Sequence, residues 1–131
     1  MGLKGAFAFL MVLMFSWAPA LADSHRTIID AATANAMHDR GVLFVDVRSK
    51  LSFEQGHIPD AVNLDVRAND FVGQFQQTAD VDEDIVIYCR GLTCDRSAEA
   101  ILLVHPLGYD RLFYLKVGLP GWIEAGYPIS K

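Results

Sequence analysis

The hydrophobic positions of this chain fall into short, sharply bounded blocks. Residues 42–47 (VLFVDV) and 85–88 (IVIY) are nearly continuous apolar runs rich in β-branched side chains, the pattern of strands covered on both faces. Residues 61–64 (AVNL) and 111–115 (RLFYL) predict two further short strands. Between the runs the period changes. Ile28, Ile29, Ala32, Ala36 and Met37 recur near helical spacing and predict a helix over 27–40, stopped at Gly41. Phe71, Val72 and Phe75 share one face of a helical segment over 70–77. Residues 97–104 form a strongly apolar helix that Pro106 and Gly108 end, and a last short helix covers 120–125. Strands alternating with helices predict an α/β fold, a mostly parallel sheet with helices on both faces.

The first 22 residues, MGLKGAFAFLMVLMFSWAPALA, break this pattern. One basic residue, an apolar run and the small-residue end Ala20-Leu21-Ala22 make the three-part secretory signal, with cleavage expected after Ala22. The alternative is an uncleaved anchor, but Pro19 and the short apolar core oppose it, because a spanning helix needs roughly 20 apolar residues. No cysteine precedes Cys89, so no lipid-modified cysteine starts the exported chain. A periplasmic or secreted protein with no membrane attachment after cleavage is expected, with residues 23–131 as one domain. Removing Lys4 leaves 10 basic against 16 acidic residues, a net charge of −6. Such a surface repels phosphate backbones, so nucleic acid is not an expected partner. An anionic substrate must be attracted locally.

Both cysteines lie within residues 88–99, YCRGLTCDRSAE. Cys89 follows a buried strand directly, and ligands of parallel α/β sheets sit at the carboxyl ends of strands. The loop then runs into a helix whose first turn carries Arg96 and Ser97, so unpaired N–H groups and the helix dipole face the loop. A thiol there is acidified by the helix terminus and by Arg90 and Arg96, which predicts a thiolate nucleophile beside an oxyanion cradle. The plainer alternative is a structural Cys89–Cys94 disulfide, the usual state of paired cysteines in an oxidising compartment.

The pattern Phe44-Val45-Asp46-Val47-Arg48, then Phe53-Glu54-Gln55-Gly56-His57-Ile58-Pro59-Asp60-Ala61-Val62-Asn63-Leu64, resembles that of rhodanese domains. The closing segment over residues 115–128 (LKVGLPGWIEAGYP), the strand ending at Cys89 and the helix start Arg96-Ser97-Ala98 are similar to theirs as well. The resemblance implies a central five-stranded sheet and sulfur transfer. Sulfane sulfur would pass from thiosulfate or a similar small anionic donor, through a persulfide on Cys89, to cyanide or a thiol. Three features depart from the family pattern. Six residues separate Cys89 from Arg96, where rhodaneses usually have four and related phosphatase and arsenate-reductase loops have five; Cys94 is additional; and Val117 stands where glycine is usual.

These readings assign Cys89 as nucleophile and Cys94 as a resolving thiol or a structural staple. If Cys94 attacks a persulfide or mixed disulfide on Cys89, a periplasmic reductant must reopen the resulting bond. Arg90, Gly91, Leu92, Thr93, Asp95 and Arg96 line the substrate site, with Arg96 holding the departing sulfite or else simply solvated. The resemblance adds Arg48 to the site wall and gives Asp46, Glu54 and His57 supporting roles. Trp122 either closes the base of the pocket or packs on the sheet. His25, His38, His57 and His105 show no ligand spacing, so no metal is expected, and the chemistry requires no cofactor. Thiol–disulfide exchange by the Cys89/Cys94 pair, and a binding module without turnover, are the alternative functions.

Overall fold

A computed structural model describes residues 26–131, together with Gly2. The expected signal segment and its cleavage site lie outside the described residues, as does His25. An aspartate separates the first strand from the first helix. Strand β1 (Thr27–Ile29) ends where Asp30 caps helix α1 (Ala31–Asp39), its carboxylate accepting the Thr33 N–H at 2.8 Å. The helix expected from residue 27 therefore begins four residues later. Ile28 and Ile29 are recruited into a strand because they pair with a distant segment, not because of local spacing.

Strand β2 (Leu43–Asp46) follows, then helix α2 (Lys50–Gln55), capped by Ser49, whose hydroxyl accepts the Ser52 N–H at 3.3 Å. Sequence periodicity alone does not reveal α2, because none of its residues is fully buried. The chain continues through β3 (Val62–Asn63), α3 (Phe71–Thr78), β4 (Ile85–Tyr88) and α4 (Arg96–Val104), then a 3₁₀ turn, β5 (Leu112–Leu115) and α5 (Gly118–Glu124).

The strands form one sheet in the order β1-β5-β4-β2-β3, every pairing parallel. β4 occupies the middle, with Ile87 opposite Val45 on one side and Tyr114 on the other. All four of its residues are buried, which is why its sequence shows no alternation. Successive side chains alternate between two cores. Ile85, Ile87 and Cys89 join the core capped by Phe71 and Phe75 of α3 and by Ala100, Ile101 and Val104 of α4. Val86 and Tyr88 join the core capped by Ala34 and Met37 of α1 and by Leu119 and Trp122 of α5. Among the described residues no helix is long and apolar enough to cross a membrane.

Candidate functional site

Tyr88 is the last residue of the central strand, so the chain leaves the sheet at Cys89 with its direction already set. The Cys89 carbonyl accepts the Leu119 N–H at 3.0 Å, and Val47 N–H donates to the Tyr88 carbonyl at 3.2 Å. Gly118, at φ +60°, presses its backbone onto the same turn. A methyl group on it would overlap the Cys89 carbonyl oxygen and lie 2.6 Å from the Gly91 nitrogen. Glycine is required there on both conformational and steric grounds.

Beyond Cys89 the chain turns at Gly91 (φ +135°), whose carbonyl accepts the Cys94 N–H at 3.0 Å. Cys94 is disulfide-bonded to Cys89, five residues away, with their Cα atoms 6.3 Å apart. Both are buried, with 2% and 5% exposure, while Leu92 at the loop tip is 67% exposed. The tip, Val117, Pro120 and Glu124 border a shallow groove of about 270 Å³ into which Arg90 also opens. Asp95 occupies the cap position of α4 without a side-chain capping bond, so the helix directs unsatisfied N–H groups toward the loop. Arg96, in the first turn, lies 3.6 Å from Asp65, which follows β3. The Ser97 hydroxyl next to it is fully buried with no hydrogen-bond partner among the described residues.

The other face of β2 holds a separate polar cluster. Arg48 grips Asp46 through Nε–Oδ1 at 3.0 Å and Nη2–Oδ2 at 2.7 Å, and Nη2 also donates to the Gly56 carbonyl at 2.7 Å. Burial alone would lower the Arg48 pKa, but the hydrogen bonds and charge of Asp46 outweigh it and keep the guanidinium ionised. The Tyr88 hydroxyl accepts the Ile58 N–H at 3.1 Å. Burial pushes the Tyr88 phenol far above its usual range, with the Asp46 charge adding to the effect.

A family model described as the rhodanese-like domain matches residues 30–125. The chain belongs to the rhodanese-like family. A thiosulfate sulfurtransferase, GlpE, of Pseudomonas syringae pv. syringae is 34% identical over 95 residues, covering 72% of this chain and 84% of that protein. A protein of Allochromatium vinosum named sulfurtransferase is 35% identical over 88 residues, covering 67% and 78% of the two chains. The solution structure of a rhodanese-like domain from Anabaena is similar with TM-score 0.68 and 25% identity, covering 78% of this chain and 76% of that one. A crystal structure of a Bacillus halodurans protein gives TM-score 0.69 at 22% identity, covering 79% and 76%, and shares the fold. Family and relatives together support a sulfurtransferase-type function.

This rhodanese-like domain gathers Cys89, Arg90, Gly91, Leu92, Thr93, Cys94, Asp95 and Arg96 into one loop at the carboxyl end of β4. Arg48 does not join them. It was expected in the substrate-binding set, but its guanidinium is committed to Asp46 and Gly56, so it braces the segment after β2 from the opposite face. His57 is also structural: its Nδ1 donates to the Phe53 carbonyl at 2.8 Å, its ring stacks on Phe53, and its backbone exchanges two 2.9 Å bonds with Ser130. Glu54 makes a 3.6 Å exposed pair with Lys50. Trp122 packs on the sheet, fully buried, with Nε1 donating to the Pro128 carbonyl at 2.8 Å. Of its two expected placements, the structure takes the one away from the loop.

Sequence reasoning missed Gly118, Leu119 and Asp65. The Gly-Leu-Pro-Gly run marks a tight turn, but nothing local says which backbone it presses on. Asp65 carried one usable signal, its place just beyond a strand's carboxyl end. Val117, where the family usually has glycine, is accommodated by Gly121: a methyl group there would overlap the valine side chain.

Proposed function

We propose that this protein is a sulfurtransferase that takes sulfane sulfur from thiosulfate, or a similar anionic donor, as a persulfide on Cys89 and delivers it to a thiol or cyanide. The observation that carries this reading is the position of Cys89, on the end of the central strand and inside a loop that leads into α4 with Arg96 in its first turn. With the disulfide open, the Cys89 thiolate attacks the outer sulfur of thiosulfate. The sulfur–sulfur bond of the donor breaks and sulfite leaves with its electron pair. The first N–H groups of α4 and the Arg96 guanidinium favour both the incoming and the departing anion. Against the negative charge of the whole chain, these local donors supply the attraction.

Intact-mass measurement of the reduced Cys94→Ser variant, which keeps Cys89 as its one thiol, after thiosulfate treatment tests the proposal. One added sulfur atom with stoichiometric sulfite is the expected result, and Cys89→Ser should give neither. An unmodified mass, with the Cys89 thiol shown to be free, would overturn it. We also propose that the working protein is the exported one, without residues 1–22, a placement that rests on the composition of that segment. N-terminal sequencing of the protein from its native compartment should begin at Asp23.

A further inference from the structure

We propose that Cys94 ends the transfer inside the loop: it displaces the sulfane sulfur from Cys89 as hydrogen sulfide, so that the protein couples thiosulfate cleavage to the oxidation of an external dithiol. This inference rests on the sulfur-transfer reading above and assigns the acceptor for that same site.

The Cys89–Cys94 bond shows that the Cys94 sulfur reaches the Cys89 sulfur in the folded protein. It does so with the surrounding backbone bonds intact, from Cys94 N–H to the Gly91 carbonyl and from Leu119 N–H to the Cys89 carbonyl. The two ends of the bridge are held differently. Cys89 is fixed by the sheet, by Leu119 and by the steric pressure of Gly118. Cys94 is carried by a loop with an exposed tip and makes its turn bond within that loop. Opening and closing the bridge is therefore a movement of Cys94 toward a stationary Cys89.

The first step leaves a persulfide, Cys89–S–S⁻, and sulfite. The Cys94 thiol then attacks the Cys89 sulfur, forming the Cys89–Cys94 bond and breaking the bond from Cys89 to the sulfane sulfur. That sulfur leaves with the electron pair and the Cys94 proton, as hydrosulfide. The two cysteines are oxidised by two electrons and the sulfane sulfur is reduced. A dithiol reductant then opens the bridge by exchange and departs as its own disulfide. The sum is thiosulfate plus dithiol giving sulfite, hydrogen sulfide and disulfide.

Proximity decides which acceptor wins. Well-oriented intramolecular groups act with effective concentrations of about 10⁵ M or more, far above any free thiol in solution. Burial of both sulfurs adds to the advantage, because an external acceptor must reach a persulfide that an internal thiol already touches.

The test is a single turnover of the full chain, reduced with dithiothreitol, freed of reductant and given one equivalent of thiosulfate. The expected products are one equivalent each of sulfite and sulfide, with the protein mass lowered by two hydrogens. Cys94→Ser should stop at the persulfide, one sulfur heavier, with sulfite released and sulfide withheld. Wild-type protein that releases sulfite but keeps the extra sulfur would overturn the inference and leave the transfer reading intact. Absence of sulfite from the reduced wild type would remove the transfer reading, and the inference with it.

Discussion

Gly118 and Cys89 touch backbone to backbone: no side-chain atom fits between the glycine Cα and the cysteine carbonyl. The contact joins the start of α5 to the root of the sulfur loop, so an error at one is transmitted to the other. Gly118→Ala should lower stability by more than about 2 kcal/mol, since the left-handed backbone alone costs about 1–2 kcal/mol for a residue with a Cβ and the overlap adds to it. Urea unfolding of the oxidised variant measures the loss. The same variant should take up sulfur from thiosulfate more slowly once reduced.

The Asp46–Arg48 pair is buried at 0% and 8% exposure. Removing one member leaves an uncompensated charge, a change that typically costs about 3–5 kcal/mol. Asp46→Ala should fall in that range by denaturant unfolding. Adding Arg48→Met should recover much of the loss, because the stranded charge disappears. A double variant no more stable than Asp46→Ala would show that the cost lies elsewhere.

Tyr88 sets an alkaline limit. Its folded pKa is raised, chiefly by burial and then by Asp46, while the unfolded phenol titrates near the ordinary value of about 10. The protonated form is thus the one the fold favours. Its contribution is complete below about pH 10 and is lost as pH rises above it. Phenolate absorbance should show a tyrosine that ionises only on unfolding. Tyr88→Phe should flatten the alkaline decline and cost about 1–3 kcal/mol at neutral pH, since the buried Ile58 N–H loses its acceptor.

On the proposed function, Asp65 competes with the donor anion for the Arg96 guanidinium. The 3.6 Å pairing of Asp65 with Arg96 draws on the same guanidinium that would meet thiosulfate. Arg96→Gln should raise the thiosulfate KM about tenfold, the equivalent of one charge-assisted hydrogen bond. Asp65→Asn should lower it, and added salt should shrink both effects. Steady-state kinetics in a Cys94→Ser background, with cyanide as acceptor, reads all three.

What was legible in the sequence follows from the range of the interactions involved. The buried runs at 43–46, 85–88 and 112–115 announce strands by composition, and the cysteine loop is contiguous from Cys89 to Arg96, so both could be read directly. Strand β1 could not. Its three residues become a strand only by pairing with β5, from Thr27 opposite Phe113 to Ile29 opposite Leu115. Resemblance supplied the fifth strand where periodicity suggested a helix. Arg48 was misplaced for a related reason, since nothing near it in sequence says that the Gly56 carbonyl and Asp46 will converge on its guanidinium. Loop chemistry was local, whereas the bracing around it is tertiary.

The central seat of β4 has a consequence for how the molecule breathes. Thermal fraying of a sheet starts at its margins, and here β1 and β3, only three and two residues long, are the margins. The Cys89 sulfur is rooted in the region that amide exchange should find slowest to open. Its aim is thus insulated from partial melting, and heat should erase the chemistry only when it erases the whole domain.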